Sequence, residues 1–355
     1  MFERIAPEQH DTLPDIPEPA ENPALFGHLE TRRMLAQAYR SGKMHHALLL
    51  AGPQGIGKAT LAYHLANHIF THPDPREAPE DLVAIDTASQ SFRLLAQGAH
   101  PGFLHLTRPR NDREKKFKTV ITVDEIRRVS RFLGMTTQEG GFRVILVDPA
   151  DDMNTNAANA LLKSLEEPPR RTLFILTTHS LGRLLPTIRS RCQTIKLQPL
   201  PDQDLFTVLQ GIGADMPEAS EERALLAARS SGSVRNAVLL TQFGGLEIEQ
   251  ALSGVLGQPK LNMTDVFRLA DAASGRDRQI QFDLFNRLAL DRIAERARLA
   301  GEEGDTCTAA SLAELHEDMR TQLIETETYN LDRRQHIIGT ISTLHTKLGG
   351  MPQAL

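Results

Sequence analysis

The sequence predicts an α/β domain with a parallel sheet flanked by helices, followed by a small helical domain and an all-helical C-terminal region. In the first 200 residues, short apolar runs typical of strands buried on both faces alternate with helical patterns. One of these units joins a strand to a helix through a glycine-rich loop. After Gly244-Gly245 the pattern is almost wholly helical. A chain of 355 residues is long enough for two or three such domains.

Composition narrows the class of protein. The chain is 40% hydrophobic and 24% charged, with a net charge of −5, which argues against general nucleic-acid coating but not against a local basic face. Cys192 and Cys307 lie far apart, so a disulfide framework and a cysteine zinc site are excluded. The first residues lack the apolar core of a signal peptide, and no apolar run approaches the roughly 20 residues of a membrane span. We expect a cytoplasmic protein without membrane contact.

Residues 1–21 are predicted to form a disordered tail. Four prolines stand among acidic residues there: Pro7, Pro14, Pro17 and Pro19. Such a segment offers little apolar surface to bury. The first helix is predicted at Leu29–Ser41.

The glycine-rich loop carries the strongest chemical signal. Gly52, Gly55, Gly57 and Lys58 stand between a predicted strand and the helix Leu61–Phe70, which is the context of a phosphate-binding P-loop. Glycines let successive N–H groups point at phosphate oxygens, and the lysine reaches the terminal phosphates. The loop therefore predicts binding of ATP or ADP.

Two positions depart from a working ATPase site. The P-loop pattern has Ser or Thr after the lysine to bind Mg²⁺, but this chain has Ala59, and the side chain of Thr60 points about 100° away. The predicted strand Phe142–Asp148 ends in an acid suited to holding Mg²⁺ through water. The next position, where an active ATPase has a glutamate, is Pro149. We therefore predict a degenerate nucleotide site, weak Mg²⁺ coordination and no intrinsic ATP turnover.

Two other clusters have open alternatives. The basic stretch 108–118 is either a solvated hairpin tip, which is favoured, or a DNA contact. His64, His68 and His72 share a helix face; a solvated or capping stripe is favoured over a metal site.

The remaining predicted elements complete three domains, at residues 22–198, 199–245 and 246–355, with Pro199 and Pro201 at the first boundary. The other strands and helices are predicted at Phe103–Leu106, Val123–Leu133, Asn156–Leu165, Leu173–Thr178, Thr194–Leu197, Leu205–Gln210, Glu221–Ala228, Val234–Leu240, Phe282–Leu299 and Leu312–Glu327.

Several motifs together resemble the AAA+ clamp-loader family of bacterial DNA polymerase III. They are Phe26-Gly27-His28, the loop Gly52–Lys58, the stretch 159–169 ending in Leu-Glu-Glu-Pro-Pro, Ser190-Arg-Cys192 and Gly232-Ser-Val-Arg235. The resemblance covers roughly residues 22–245. It implies an AAA+ P-loop domain, a helical lid domain and a C-terminal collar that carries oligomerisation. In that collar, Phe282, Phe285, Leu288 and Ile293 are expected to need partner helices.

The resemblance also implies roles for individual residues. Arg191 occupies the position of an arginine finger offered in trans to a neighbour's ATP, a task that suits a permanently charged guanidinium. The alternative is that Arg191 completes the C-terminus of its helix, a role that Arg189 could fill instead. Thr178 or His179 occupies the first sensor position and Arg235 the second.

The function implied is that of a largely non-hydrolysing stator that helps to open a sliding clamp and load it on primed DNA. Its implied partners are gamma/tau-type and delta-type subunits, the sliding clamp and primer–template DNA. The alternatives are an active gamma-type ATPase subunit and, less favoured, an AAA+ DNA helicase; both need the catalytic groups missing at Ala59 and Pro149. Many family members carry a cysteine zinc module after the P-loop helix. This chain has no cysteine there, so we expect no zinc.

Overall fold

A five-stranded parallel sheet organises the first part of the chain. The structure is a computed structural model, and it describes residues 3–111, 116–135, 141–275 and 277–348. The strand order is β2-β5-β6-β1-β7, and a separate antiparallel hairpin pairs β3 with β4. The strands are β1 (Ala47–Ala51), β2 (Phe103–Leu106), β3 (Arg110–Asn111), β4 (Lys116–Phe117), β5 (Arg143–Val147), β6 (Thr172–Thr178) and β7 (Gln193–Lys196).

The helices of the described residues alternate with the strands and then continue alone. They are α1 (Leu29–Arg40), α2 (Lys58–Thr71), α3 (Gln90–Ala96), α4 (Val123–Gly134), α5 (Thr155–Glu166), α6 (Pro186–Arg189), α7 (Asp202–Gly211), α8 (Ser220–Ser230), α9 (Val234–Gln242), α10 (Gly245–Leu256), α11 (Met263–Ala273), α12 (Gln279–Glu302), α13 (Thr306–Thr328) and α14 (Arg333–Leu348). No described helix combines the length and apolarity that a membrane crossing requires.

The sheet is buried on both faces, as its uninterrupted apolar strands predict. Along β1, Leu48 and Leu50 join one core with residues of α1 and α2, while Leu49 joins a second core with residues of α4 and α5. All seven residues of β6 are buried. The predicted α/β class is confirmed, and each strand predicted in this sheet lies within one residue of its observed bounds.

Helix α3 was not predicted, because seven residues make only two turns and give too short a periodic signal. The Ser89 hydroxyl accepts a hydrogen bond from the Phe92 N–H at 3.2 Å and starts the helix. Phe92 and Leu95 are buried beneath it. The stretch between α2 and β2 is thus partly helical.

The N-terminal segment, residues 3–21, differs from the predicted disordered tail. It packs on the α/β domain, and Ala6 and Ala20 belong to the core that includes Tyr63 and Phe103. The Glu21 carboxylate accepts hydrogen bonds from three backbone N–H groups, among them those of Ile5 at 2.6 Å and Glu18 at 2.9 Å. Ala6, Leu13 and Ala20 are buried, and internal hydrogen bonds, which composition does not reveal, add to this packing.

Contacts divide the chain into two compact units. The first comprises the chain up to Ala214 together with Ala227–Asn236, and the second comprises Asp215–Leu226 and the chain from Ala237 onward. The three domain boundaries given above stay a prediction.

The second unit is helical, and its longest packed pair is α12 with α13. Phe282, Phe285, Leu288 and Ile293 are all buried. Phe282 also lies under the Arg333 guanidinium, 4.9 Å from its ring centre. The expectation that these four side chains need partner helices from another subunit was wrong, because α12 turns them into the core of its own unit.

Candidate nucleotide site and arginine surface

The P-loop connects β1 to α2, as predicted. Gly57 has φ of +96° immediately before the first residue of α2, and Gly55 has φ of +77°, both in the left-handed region that favours glycine. These conformations curl the loop so that Lys58 becomes the first residue of α2. The His28 ring contacts the Ile56 carbonyl oxygen at 2.8 Å, which ties the segment before α1 to the loop.

The Lys58 side chain is turned into its own loop. Its ammonium donates to the carbonyl oxygens of Gly52 at 2.7 Å and Pro53 at 2.5 Å, and the residue is only 5% exposed. Burial lowers the pKa of Lys58 to about 8, although Asp148 and Asp151 act against this shift. The Lys58 ammonium is therefore bonded to the carbonyl oxygens of its own loop.

A late segment of the chain covers the tip of the loop. The Ser233 hydroxyl donates to the Gln54 carbonyl oxygen at 2.8 Å, and the Val234 N–H donates to the Gly55 carbonyl oxygen at 2.9 Å. A Cβ placed on Gly55 would lie 2.5 Å from the Cβ of Arg235. The structure thus brings Arg235 to the P-loop, as expected for a second sensor. Its guanidinium, however, donates to the Asp11 carbonyl oxygen at 2.5 Å.

The acidic end of β5 is also engaged. The Asp148 carboxylate accepts a hydrogen bond from the Thr177 hydroxyl of neighbouring β6. Asp151 accepts from the Thr178 hydroxyl and from the His179 N–H, the latter at 2.6 Å. Burial would raise the pKa of Asp151, but the hydrogen bonds from His179 and Thr178 together hold it below its usual value. Thr178 and His179, which were predicted at the first sensor position, therefore both bind an acid of their own chain.

These residues do not fit a bound magnesium ion. A P-loop metal site needs a hydroxyl after the lysine and a strand-end carboxylate free to take water ligands. Ala59 has no hydroxyl, and one oxygen of the Asp148 carboxylate already accepts a hydrogen bond from Thr177. Thr60 is half-buried on α2, one residue beyond the required position. The glycines of a P-loop are present, whereas Ala59 offers no hydroxyl to a metal ion.

Arg191 lies on a different surface, just after α6. A pocket of about 500 Å³ is lined there by His45, His46, Leu165, Glu166, Ser190 and Arg191. The Arg191 guanidinium contacts the Glu166 carboxylate at 2.5 Å and donates to the Thr187 carbonyl oxygen at 2.8 Å. Arg191 itself therefore completes the end of α6, whereas Arg189 is exposed.

Sequence comparison identifies the α/β region. Residues 27–201 match a family model described as DNA polymerase III, delta subunit. Residues 27–201 are thus similar to that family. This region contains the five-stranded parallel sheet and its flanking helices.

Curated relatives carry related names. The DNA polymerase III subunit delta' of Pseudomonas aeruginosa is 41% identical over 190 residues, covering 53% of each chain. The Escherichia coli subunit delta' is 33% identical over 224 residues, covering 62% of each chain. The Escherichia coli subunit tau is 29% identical over 262 residues, covering 68% of this chain and 38% of that protein. The chain thus spans between 53% and 62% of the length of these two delta' relatives.

The basic stretch 108–118 contains a hairpin, as one of its two interpretations required. Arg110 pairs with Phe117 and Asn111 with Lys116. Residues 112–115, the predicted tip, lie outside the described residues. Arg108 forms two hydrogen bonds to Asp152, at 2.5 and 2.7 Å, so this cation is bound within the domain.

The histidines of α2 are not a solvated stripe. His64 and His68 are 2% and 4% exposed, and burial lowers the pKa of each to about 4. His72 lies at the end of α2, where its ring contacts the His68 carbonyl oxygen at 2.9 Å. Among the described residues, no three His, Cys, Asp or Glu side chains are grouped as metal ligands. His64 and His68 are therefore buried residues of the α/β domain.

Sequence reasoning missed three residues of these sites. Glu166 belongs to the Leu-Glu-Glu-Pro-Pro motif, but nothing in the motif shows that it pairs with Arg191. Ser233 stands next to the predicted sensor, and its contact with Gln54 was not foreseen. Asp11 lies in a stretch whose composition suggests disorder, so no sequence signal pointed to it.

Proposed function

We propose that this chain is a delta-prime-type subunit of the DNA polymerase III clamp loader, acting as a stator that does not hydrolyse ATP. The observation that carries the proposal is the paired loss of catalytic groups at Ala59 and Pro149 in an otherwise complete P-loop domain. The Lys58 ammonium, bonded to Gly52 and Pro53, supports the same reading. Similarity to proteins named delta' supports the family role.

In this proposal Arg191 is the functional cation of the subunit. Its side chain is 34% exposed beside an open pocket, so a partner's phosphate can approach it. A planar guanidinium that is always charged can stabilise the charge spreading over a transferring γ-phosphoryl group. Because the Glu166 pair is itself exposed, releasing Arg191 from it costs only about 0–1 kcal/mol. Arg191 can therefore leave Glu166 for a neighbour's ATP.

The partners follow from the family. We assign gamma/tau-type and delta-type subunits as neighbours, a sliding clamp as the protein that the complex opens, and primer–template DNA as the place of loading. ATP or ADP remains a ligand only of a degenerate pocket, without a zinc or magnesium site. A cytoplasmic location completes the assignment.

A gamma-type motor is the second candidate, because relatives named gamma and tau also match this chain. That role needs a metal-binding hydroxyl and a water-activating glutamate, and the positions concerned hold Ala59 and Pro149.

ATP turnover by the purified chain, with and without primed DNA, separates the two roles. We expect no turnover above background. Turnover that disappears in Lys58→Ala would contradict the stator and establish the motor. Reconstitution with gamma-type and delta-type subunits is the second arm: the stator role requires that the chain enter the complex and support clamp loading.

A further inference from the structure

The N-terminal segment, residues 3–21, is held together by internal hydrogen bonds. The Arg4 guanidinium donates to the carbonyl oxygens of Leu13 at 2.7 Å and Ile16 at 2.8 Å. Together with the Glu21 carboxylate, which holds the N–H groups of Ile5 and Ala6, it closes the segment into a compact loop. Residues 5–16 are thereby fixed in place without help from regular secondary structure.

This loop reaches both walls of the nucleotide site with two consecutive residues. The Arg235 guanidinium donates to the backbone carbonyl oxygen of Asp11 at 2.5 Å, and the Asp11 carboxylate lies 3.5 Å from the same guanidinium. His10 lies 3.9 Å from the Asp152 carboxylate, beyond the end of β5. Because Arg235 packs on Gly55 at the tip of the P-loop, residues 10–11 span the opening from the P-loop side to the β5 side.

The chemistry at Arg235 is that of a phosphate contact. A guanidinium at a P-loop pairs with anionic oxygens. Here the backbone carbonyl oxygen of Asp11 accepts the hydrogen bond, and the Asp11 carboxylate supplies the negative charge 3.5 Å away. The segment thus supplies, in cis, what a nucleotide phosphate would supply to this arginine.

We propose that residues 3–21 form a cis-acting cap that closes the subunit's own nucleotide site, with Asp11 occupying Arg235 in place of a nucleotide phosphate. The cap rests on the proposed function, since it regulates that same degenerate site. A nucleoside diphosphate and the cap compete for Arg235. The apparent nucleotide affinity of the chain is therefore reduced in proportion to the fraction of molecules in which the cap is open.

The test measures binding of a fluorescent nucleotide, N-methylanthraniloyl-ADP, to the full chain by anisotropy. Glu21→Ala removes the acceptor of three backbone N–H groups and releases the cap. Asp15→Asn is the matched control, because it removes an exposed carboxylate from the same segment. The chain has no tryptophan, so Gln9→Trp adds a single reporter whose emission follows the cap.

We expect Glu21→Ala to bind the nucleotide at least about tenfold more tightly than the parent chain, since a charge-assisted hydrogen bond is exchanged. Asp15→Asn should bind like the parent, and the double variant Glu21→Ala/Arg235→Ala should lose the gain. If the alanine variant does not fold, Glu21→Gln, which keeps one acceptor oxygen, is measured in the same way.

Two results overturn the cap. One is unchanged nucleotide affinity in a folded Glu21 variant whose tryptophan reporter shows a released segment. The other is nucleotide binding to the Gln9→Trp chain without any change in tryptophan emission. Neither result bears on entry of the chain into a clamp loader, so failure of the cap and failure of the proposed function are told apart by reconstitution.

Discussion

The P-loop and the Arg191 surface lie in the same α/β domain, but they differ in how far their charged groups are exposed. At the nucleotide site Lys58, Asp148 and Arg235 all have partners within the chain, and Lys58 is buried. At the other surface Arg191 is one-third exposed and faces a pocket of about 500 Å³. Charged groups in both regions have partners within the chain, but Arg191 is far more exposed than Lys58 and lies beside a pocket.

The difference in exposure indicates which charged groups can still act on another molecule. A phosphate site whose donors bind their own loop contributes packing, and its substitution should affect stability. A guanidinium held by an exposed carboxylate remains available to another molecule, and its substitution should affect a partner's reaction. The following experiments separate these two kinds of effect.

The largest effect is expected from Arg191→Ala in a reconstituted clamp loader. Arginine fingers contribute roughly 10³–10⁵ in rate, so hydrolysis at the ATP site bordering this subunit should nearly cease. Steady-state ATPase of the whole complex should fall only in part, since other sites keep their own arginines. Loss of the Thr187 contact should lower the free energy of unfolding by about 1 kcal/mol.

Two variants control that measurement. Arg189→Ala removes an exposed arginine two residues away and should leave the ATPase unchanged. Glu166→Gln removes the exposed partner of Arg191 and should retain hydrolysis, because the guanidinium is kept. Full clamp loading by an assembled complex carrying Arg191→Ala would refute the finger role.

Acid should lower the stability of the α/β domain through two buried histidines. His64 and His68 are buried with pKa values lowered to about 4, below the usual 6.5. Between these values the unfolded chain binds more protons, so the free energy of unfolding falls as pH decreases from about 6.5 towards 4. Each histidine contributes about 1.4 kcal/mol per pH unit. The free energy of unfolding, measured by urea titration at several pH values, should depend less on pH in His64→Gln and least in the double variant with His68→Gln. An unchanged pH dependence would contradict the prediction.

Gly55→Ala should destabilise the domain through packing at the P-loop tip. A positive φ costs an L-residue about 1 kcal/mol, and overpacking adds about 1–3 kcal/mol. The added Cβ would lie 2.4 Å from the Ser233 hydroxyl. Gly42→Ala is the matched control, because Gly42 has φ of +68° but nothing within 4 Å of the added carbon. Equal losses of unfolding free energy in both variants would show that the packing against Ser233 is unimportant.

The smallest effect is expected from Lys58→Met in the same complex. In an active P-loop ATPase the lysine is required, but here its ammonium binds Gly52 and Pro53. We therefore expect the ATPase of the reconstituted loader to stay within experimental error of the parent. A loss comparable to that of Arg191→Ala would break the contrast between the two regions.

The sheet could be predicted from sequence because its signals are local. Apolar runs mark strands buried on both faces, and the glycines of the P-loop mark a backbone conformation that other residues avoid. The positions of Lys58 and Asp148 follow from that framework. The hydrogen-bond partner of Lys58 could not be predicted, because backbone carbonyl oxygens are present at every residue and carry no sequence signal.

Long-range polar contacts and the sharing of apolar faces were beyond prediction. The spacing of Phe282, Phe285, Leu288 and Ile293 shows an amphipathic face but not whether the covering helix belongs to the same chain. Likewise, α2 is buried on nearly every side, so His64 enters the core although its residue type favours water. Such outcomes depend on tertiary neighbours rather than on the residues themselves.

The segment around Gly232 makes the first compact unit discontinuous along the polypeptide chain. A Cβ on Gly232 would lie 2.5 Å from the Leu200 carbonyl oxygen, and the Leu200 N–H donates to the Gly232 carbonyl oxygen at 3.1 Å. The next residues close on Gln54 and Gly55. A recombinant fragment ending at residue 198 would therefore lack a piece of its own P-loop wall. Proteolytic nicking between 214 and 227, by contrast, should leave that piece bound.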